Sequence, residues 1–370
     1  MEETRIEELA EDIQMEIMSW LPLKSLVKCT CVSKQCASLI RSKYFRDRYL
    51  RRSMTRPRLL FVNFPFGRDV LLHSVYQEEE PLLSSGQQQI RISPDPRCEV
   101  SQPIRGLLCI QENTKIVILN PGTKKLLTTK LPKIQAHKNA VITCFFGYDE
   151  STDEFKVLCM TKLASDGPSE GAINEHQIST VCFGDETCWR RITCKHDHSP
   201  VTQGLCKEGL LYYGAQSSSN KSLVMRFNVS SEVFSVIEVP EEVQLDHRWK
   251  LVNYNGDIAL VNDSDFDYGI VNGVFDIWVR NETAGDWRRN KIEIAGWEET
   301  VDNHKFYFKG TIGTRELVFT LDSVIEGSFL VVYYDTATHN LRTFTIEGVS
   351  GDQLNDVRTF LDHVDSTWLM

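Results

Sequence analysis

The segment IVILNPGTKKLLTT (residues 116–129) decides the fold of this chain. An apolar, β-branched run ends at Asn120, a turn-forming stretch follows, and a second apolar run begins at Leu126. Asn and Asp side chains accept hydrogen bonds from the backbone just after them, so they close turns without any ligand. The same pattern recurs as FFGYDESTDEFKVL (145–158), VMRFNVSSEVFSVI (224–237) and LVVYYDTATHNLRTFTI (330–346). The sequence therefore predicts repeated β-hairpins.

Most of the chain after residue 57 follows this pattern. Runs rich in Val, Ile, Phe, Tyr and Trp alternate with clusters of Gly, Asn, Asp and Pro, which is typical of strands and turns. Residues 77–103 and 163–177 are polar with weak periodicity, so we predict loops there. Repeated hairpins without long helices favour a propeller-like stack of small sheets, with a β-sandwich as the second choice. The pattern does not predict the number of blades.

The first 50 residues have a helical period. The apolar positions of the first predicted helix are Leu9, Ile13, Ile17 and Leu21. Pro22 ends this helix, Leu26 marks a second one, and Ser33 is a suitable N-cap for a third. Such short helices bury little apolar surface, so they require the rest of the chain or a partner. The predicted fold is therefore α+β: a helical unit over residues 1–50, a basic linker over 51–60 and a large all-β domain over 61–370.

The net charge of −10 is divided unevenly between these regions. Residues 1–60 contain 12 Lys and Arg against 8 Asp and Glu, a net charge of +4, so the rest of the chain carries −14. This acidity argues against nucleic acid as a ligand of the larger domain. Basic residues interleaved with aromatic ones between Arg41 and Arg58 also fit a nucleic-acid site or a nuclear address, but a solvated helix face leading into a linker is the commoner explanation.

The N-terminus and the hydropathy of the chain indicate its location. No run approaches the roughly 18 apolar residues of a membrane span, and the first residues are acidic rather than basic and apolar as in a secretory signal. We therefore expect no membrane partner and a cytoplasmic or nuclear location. In that reducing setting the 11 cysteines are predicted to be free thiols.

Two groups of cysteines and histidines are candidate metal sites. They are Cys29, Cys31 and Cys36 near the N-terminus, and Cys182, Cys188, Cys194, His196 and His198 in the β region. Structural zinc sites favour C-x2–4-C pairs plus two more ligands; no Cys-x-x-Cys occurs, and no histidine lies near the first group in sequence. We interpret both groups as core or incidental residues and predict no metal and no cofactor. Trp20, Trp189, Trp278 and Trp287 are likewise predicted to pack in cores.

The sequence contains none of the catalytic motifs that we searched for. It contains no dinucleotide fingerprint, no Walker loop, no His-Glu-x-x-His and no Gly-x-Ser-x-Gly motif. The prediction is therefore a protein that is not an enzyme. An enzyme built on a propeller remains an alternative, and it would require acidic residues or metal ligands that converge only in space.

Residues 9–40, LAEDIQMEIMSWLPLKSLVKCTCVSKQCASLI, resemble an F-box. They share the family's leucine and isoleucine spacing, its Leu-Pro pair at residues 21 and 22, its Lys-Ser-Leu segment and its Cys-Val-x-Lys segment. Ala10 stands where the family usually has proline, and Cys36 where it has tryptophan. The β region resembles the F-box associated domain of plant F-box proteins, through segments such as RGLLCI (105–110), GLLYYGA (209–215) and FDIWVR (275–280).

The resemblance implies a function in protein ubiquitination and degradation. Proteins of this kind are non-catalytic substrate receptors of SCF (Skp-cullin-F-box) ubiquitin ligases. The F-box binds a Skp-type adaptor and, through it, a cullin-RING core, while the β domain captures a target protein. We predict that the adaptor contacts are Leu9, Ile13, Ile17, Leu21, Pro22, Leu26 and Val32. The target and its binding residues stay unidentified, and a Skp-binding scaffold without ligase activity is the alternative.

Overall fold

The computed structural model describes most of the chain. The described residues are 9–63, 70–76, 84–90, 98–132, 141–163, 173–181, 188–262, 273–301, 306–313, 315–321, 328–347 and 357–370. They form four N-terminal helices followed by six small antiparallel sheets that are the blades of a β-propeller. The predicted order of a helical unit and a propeller is confirmed, and the sandwich is excluded.

The helical unit consists of α1 (Glu11–Ser19), α2 (Leu23–Val32), α3 (Lys34–Arg41) and α4 (Lys43–Ser53). The Ser33 hydroxyl accepts a hydrogen bond from the Cys36 N–H at 3.1 Å, which confirms the predicted N-cap of α3. Ser42 caps α4 in the same way, accepting from the Phe45 N–H at 3.2 Å. The buried core of this unit is Met18, Leu23, Leu26, Leu39, Ile40, Phe45 and Tyr49.

The first three blades follow one another along the chain. Blade 1 contains β1 (Arg58–Asn63), β2 (Val70–Tyr76) and β3 (Ser84–Ile90), joined by the C-terminal strand β25 (Val357–His363). Blade 2 contains β4 (Glu99–Val100), β5 (Leu108–Gln111), β6 (Lys115–Asn120) and β7 (Lys125–Lys130). Blade 3 contains β8 (Val141–Asp149), β9 (Glu154–Leu163), β10 (Ile173–Thr180) and β11 (Arg190–Ile192).

The other three blades complete the ring. Blade 4 contains β12 (His198–Pro200), β13 (Leu205–Lys207), β14 (Leu210–Ser217), β15 (Ser222–Asn228) and β16 (Val233–Glu238). Blade 5 contains β17 (Trp249–Tyr254), β18 (Asp257–Asn262), β19 (Val274–Arg280) and β20 (Trp287–Glu293), and α5 (Trp297–Val301) follows it. Blade 6 contains β21 (Phe306–Ile312), β22 (Glu316–Leu321), β23 (Ser328–Asp335) and β24 (Asn340–Glu347).

The repeated hairpin turns have the predicted geometry. In each, the side-chain oxygen of the last strand residue accepts from the backbone N–H groups two and three positions later; these residues are Asn120, Asp149, Asn228 and Asp335. The residue four positions after each has a positive φ of 54–59°; these are Lys124, Asp153, Glu232 and His339. One local turn rule is therefore used in four blades, as the sequence repeat predicts.

The ring is closed by its two ends. β25 pairs antiparallel with β1 and takes the first position in blade 1, which β4, β8 and β21 take in their own blades. Apolar side chains of neighbouring blades share cores; one such core joins Leu119 of blade 2, Leu60 of blade 1 and Phe360 of β25. Because each sheet buries its faces against its neighbours, a single blade has no complete core of its own.

The structure corrects two predictions about connections. The predicted linker over residues 51–60 is shortened to residues 54–57, because α4 runs to Ser53 and β1 begins at Arg58. The regions predicted to be loops contain β3 and most of β10. β3 lies at the edge of its sheet, where polar residues are tolerated, so its sequence lacks the apolar run that marks a central strand.

The cysteines depart from the prediction of free thiols at one pair. Cys144 on β8 lies directly opposite Cys159 on β9, with their Cα atoms 4.3 Å apart, and the two form a disulfide. The other described cysteines form no disulfide, and Cys36 is buried in α3. The strand register creates this pair from residues 15 apart, so cysteine spacing alone could not reveal it.

Candidate functional site

The helical unit exposes apolar side chains on two of its helices. On α1, Ile13 is 46% exposed and Ile17 is 37% exposed, and the two are one turn apart on one face. Pro22 is exposed at the start of α2, and Val32 is 74% exposed at its end. These four are the members of the predicted adaptor-contact set that the structure leaves exposed. We call Ile13, Ile17, Pro22 and Val32 the helical surface.

Three predicted contact residues lie deeper. Leu9 is half-buried just before α1, and Leu21 is half-buried and packs against the core of the helical unit. Leu26 is fully buried in that core, so its side chain supports the helical unit from inside. Leu23 and Leu26, three residues apart, share the inward face of α2, and this pairing directs Leu26 into the bundle.

The prediction that Trp20 packs in a core is wrong, because the structure places its side chain in solvent. Its side chain is 66% exposed, its Nε1 donates to Glu16 Oε1 at 2.9 Å, and the Arg52 guanidinium lies over its ring. The helical period carried a signal for this, since Trp20 continues the exposed series of Ile13 and Ile17. Trp189, Trp278 and Trp287 do pack against propeller cores, as predicted.

The helical unit is fixed to the propeller by the C-terminal segment, residues 364–370. The Asp365 N–H donates to Ser53 Oγ at 2.7 Å, and Arg58 pairs with the Asp365 carboxylate. Met370 packs against the core of the helical unit. Asn120 holds the same segment from blade 2, because its Nδ2 donates to the carbonyl oxygens of Ser366 and Trp368 at 2.8 and 2.6 Å. The sequence had suggested only turn capping for Asn120.

The basic run from Arg41 to Arg58 serves this junction. Arg46 of α4 pairs with Asp153 in the turn of blade 3 and lies 4.3 Å from the centre of the Trp368 ring. A second ion pair has its charges exchanged: the acidic Asp47 lies on α4, and the basic Arg105 lies on blade 2. The structure therefore uses basic side chains of this run for contacts within the chain.

Close backbone contact and buried charge also mark this junction. A Cβ atom on Gly122 would lie 2.3 Å from a methyl carbon of Leu23, so only glycine lets blade 2 approach α2 this closely. Burial raises the pKa of the Asp365 carboxyl, and the neighbouring Arg58 opposes that rise. Burial also raises the pKa of the Tyr49 hydroxyl, which donates to the Leu21 carbonyl at 3.4 Å. The helical unit and the propeller thus form one packed body.

A cavity of about 450 Å³ opens where the first strands of blades 2, 3 and 4 meet. Gln111 bridges the edge of β8 there: its Nε2 donates to the Ile142 carbonyl at 2.7 Å, and its Oε1 accepts from the Cys144 N–H at 2.8 Å. The lining is more apolar than polar, and Glu99 and His247 are among its few ionisable groups. A concave lining of this kind suits binding rather than acid-base chemistry.

The predicted cysteine and histidine groups are only partly brought together. Cys36 is buried, Cys29 is half-buried and Cys31 is exposed, and burial is the main cause that raises the pKa of the Cys29 thiol. In the second group, Cys194 and His198 are neighbours and are joined by His176 from β10. Cys188 is exposed before β11, and Cys182 lies outside the described residues.

Within the described part of the chain, none of the helices is both long and apolar enough to cross a membrane.

Comparisons with known proteins agree with these features. The F-box domain family matches residues 6–48, and the family described as F-box associated beta propeller domain matches residues 58–364. The Arabidopsis thaliana F-box protein At1g70960 is 52% identical over 376 residues, covering 100% of both chains. The F-box protein DOR of the same plant is 32% identical over 378 residues, covering 97% of this chain and 93% of its own.

The two matched regions fall on the two structural units. The F-box match covers α1 to α3 and the first part of α4, and the second match runs from β1 to β25. The chain therefore belongs to the F-box protein family, with an N-terminal F-box followed by an F-box associated β-propeller.

Proposed function

We propose that this protein is the substrate-recognition subunit of an SCF-type ubiquitin ligase. Its F-box would bind a Skp-type adaptor linked to a cullin-RING core, and its propeller would capture a protein for ubiquitination. The observation that carries the proposal is the helical surface: Ile13, Ile17 and Val32 expose apolar side chains on a unit too small to bury them. The protein would perform no bond chemistry itself.

The proposed adaptor contacts are the exposed members of the predicted set. Ile13, Ile17, Pro22 and Val32 would enter the interface directly, and the partly exposed Leu9 and Leu21 would contribute at its edge. Trp20 is added to this set, since a large exposed aromatic side chain beside isoleucines is a frequent hot spot of protein interfaces. Leu26 would support the surface from below.

The packed junction between the helical unit and the propeller would hold a captured target in a fixed position. A ligase receptor accelerates ubiquitination by holding the target lysine near the charged conjugating enzyme, which raises the effective concentration of one reactant at the other. A flexible linker would spread that position over a large volume. Here Arg46, Ser53 and Arg58 fix the F-box to the propeller, so a captured target would be held in a defined position relative to the adaptor.

The target would bind to the propeller. Loops displayed on a rigid sheet scaffold are common binding sites, and the cavity bounded by blades 2, 3 and 4 offers a concave surface for a side chain of the target. The residues after 60 carry a net charge of −14, which favours a target with a basic patch. Binding of such a target would weaken as salt is added.

The test is adaptor binding by matched surface variants of the full chain. Ile17→Ala with Val32→Ala removes two exposed apolar side chains from the F-box, and Val141→Ala with Val233→Ala removes two from the propeller, where they are 63% and 59% exposed. Truncating a central anchor costs about 2 kcal/mol or more, roughly thirtyfold in affinity. We expect calorimetry with a purified Skp-type adaptor to detect this loss only for the F-box pair. Equal affinities for the two pairs would contradict the assignment of the surface.

A second measurement separates a ligase receptor from a scaffold. The full chain, assembled with adaptor, cullin, RING subunit and conjugating enzyme, should transfer ubiquitin to a protein that binds the propeller. The pair of F-box substitutions should strongly reduce transfer at adaptor concentrations that do not overcome the weaker binding, while leaving target binding intact. Adaptor binding without transfer to any bound protein would favour the scaffold function.

A further inference from the structure

Three side chains with metal-ligand chemistry meet between blades 3 and 4. His176 lies on β10, Cys194 lies in the connection between β11 and β12, and His198 is the first residue of β12. One ligand atom from each, a ring nitrogen or the Cys194 Sγ, lies within 4.8 Å of the other two. Cys194 Sγ is 4.0 Å from His198 Nδ1. Among the described residues, no other three His, Cys, Asp or Glu side chains bring their ligand atoms this close together.

A fourth donor atom is already at this place. The His196 carbonyl oxygen lies 2.8 Å from His198 Nδ1 and 3.3 Å from Cys194 Sγ. Two imidazole nitrogens, one thiolate and one oxygen from a carbonyl or water are a ligand set that suits a divalent cation of the zinc type. In a tetrahedral zinc site, neighbouring nitrogen and sulfur ligands are about 3.5 Å apart, as the metal-ligand distances require.

We propose that His176, Cys194 and His198 bind one zinc ion, with the His196 carbonyl or a water molecule as the fourth ligand. The Cys194 side chain is partly exposed, so the site is open to solvent. Both histidines are buried, which holds their rings in place before the metal arrives. The site is distinct from the surfaces proposed to bind the adaptor and the target.

A buried ring nitrogen of His176 is available to the site. His176 is only 6% exposed, and its Nε2 has no hydrogen-bond partner among the described residues. This nitrogen is one of several buried side-chain atoms without a partner in the described residues, and a bound ion would satisfy it. Its ring centre is 5.3 Å from that of His198, close enough for both rings to share one cation.

The surroundings of His198 fix the ring in a suitable orientation. His198 Nε2 lies 2.8 Å from the buried Tyr213 hydroxyl, which in turn donates to Met160 Sδ at 3.6 Å. A carbonyl oxygen only accepts, so the 2.8 Å contact with His196 places a proton on Nδ1 while no metal is bound. Metal binding at Nδ1 would use the other tautomer, in which Nε2–H donates to the Tyr213 hydroxyl oxygen and Nδ1 offers its electron pair to the ion. Metal-bound histidines usually donate their second nitrogen to an oxygen in this way.

The position of the site indicates a structural role. β10 belongs to blade 3, whereas β12 begins blade 4, so the ion would join two blades across their connection. Metal binding to the folded chain stabilises it, since the unfolded chain does not hold the ligands together. No reaction is assigned to the site.

The experiment is metal analysis of the full chain, purified with a tag that lacks histidine. We expect elemental analysis to find about one zinc ion per chain. Replacing the ion with Co²⁺ should produce the visible bands of tetrahedral cobalt and a near-ultraviolet band from sulfur-to-metal charge transfer. A zinc chelator should lower the thermal midpoint, and added zinc should restore it.

Four variants make the test specific. Cys194→Ser should remove the sulfur band and most of the bound zinc, and His176→Gln should lower zinc occupancy in the same way. Tyr213→Phe, which removes only the hydroxyl beside His198, should lower zinc affinity by about 10- to 100-fold. Cys188→Ser, at an exposed cysteine outside the site, is the matched control and should change nothing.

The same measurements can overturn the proposal. Wild-type protein that stays free of metal in micromolar free zinc would refute it, as would a cobalt spectrum unchanged by Cys194→Ser. Because Cys194 is half-exposed, its serine variant should still fold, and an unaltered circular-dichroism spectrum would confirm that its loss of zinc is local.

Discussion

Arg58, the first residue of the propeller, pairs with Asp365, which lies 307 positions later, and the atoms Nη2 and Oδ2 are 2.8 Å apart. Both side chains are largely buried. The hydroxyl of Ser53, at the end of α4, accepts a hydrogen bond from the Asp365 N–H. The pair therefore joins the F-box, the first strand and the C-terminal segment at one point. It links closure of the ring to placement of the F-box.

Removal of this carboxylate should destabilise the chain. Asp365→Ala leaves the Arg58 guanidinium largely buried without its charge partner, and breaking a buried pair in this way costs about 3 kcal/mol. Urea denaturation of the full chain measures the change in the free energy of unfolding. Asp246→Ala, which breaks the more exposed pair with Arg248, is the control and should cost about 1 kcal/mol or less. Equal effects at the two sites would show that the junction is not energetically important.

Substitutions at Leu26 and Val32 should have different effects: the first should lower stability, and the second should weaken adaptor binding. Leu26→Ala creates a cavity in the F-box core and should lower the free energy of unfolding by about 2–5 kcal/mol. Val32→Ala changes an exposed side chain and should change that energy by about 0.5 kcal/mol or less, yet weaken adaptor binding. Denaturation and calorimetry on the same samples provide the two readouts. A Val32 variant that is destabilised but binds the adaptor normally would contradict the placement of Val32 in the adaptor interface.

The buried His363 should make stability depend on pH. Burial, helped by the positive charge of Arg58, lowers the pKa of His363 to about 3 in the folded chain, against about 6.5 in the unfolded chain. The unfolded chain therefore takes up a proton first, so the contribution of neutral His363 is complete above pH 6.5 and is lost as the pH falls towards 3. The slope should approach 1.4 kcal/mol per pH unit between these values.

The readout for His363 is a difference between two proteins. The free energy of unfolding of the wild type minus that of His363→Gln should shrink as the pH falls below 6.5, while acid effects of other groups cancel. A difference that stays constant from pH 7 to pH 4 would show that His363 is not held neutral.

The disulfide should be detectable by alkylation and should add stability. Two of the 11 cysteines, Cys144 and Cys159, should resist alkylation of the unfolded chain until a reductant is added. Closing a loop of this length contributes about 3 kcal/mol in the chain-entropy description. Reductant should therefore lower the thermal midpoint of the wild type but not of Cys144→Ala with Cys159→Ala. Alkylation of all 11 cysteines without reductant would contradict the bond.

Local chemistry explains which parts of the site the sequence could predict. Ile13 and Ile17 are exposed where their spacing and the F-box resemblance suggested contact, and Ser33 caps α3 as its position predicts. The helical period identified Leu26 as part of an apolar face, but a period does not show whether such a face meets its own core or a partner, and the structure places Leu26 in the core. His176 was missed as a companion of Cys194, since 18 residues separate them and only the packing of β10 beside the next connection brings them together.

The sequence by itself determined the elements: helices at the start, hairpins closed by Asn and Asp afterwards, and the family to which both belong. These follow from interactions within a few residues, such as Asn120 accepting from the N–H groups of Gly122 and Thr123. Only the tertiary structure decided the six blades, the closure of β1 by β25 and the fixed placement of the F-box through Arg58 and Asp365. Those contacts join residues hundreds of positions apart, so their energies depend on the packing of the whole ring and leave no local pattern in the chain.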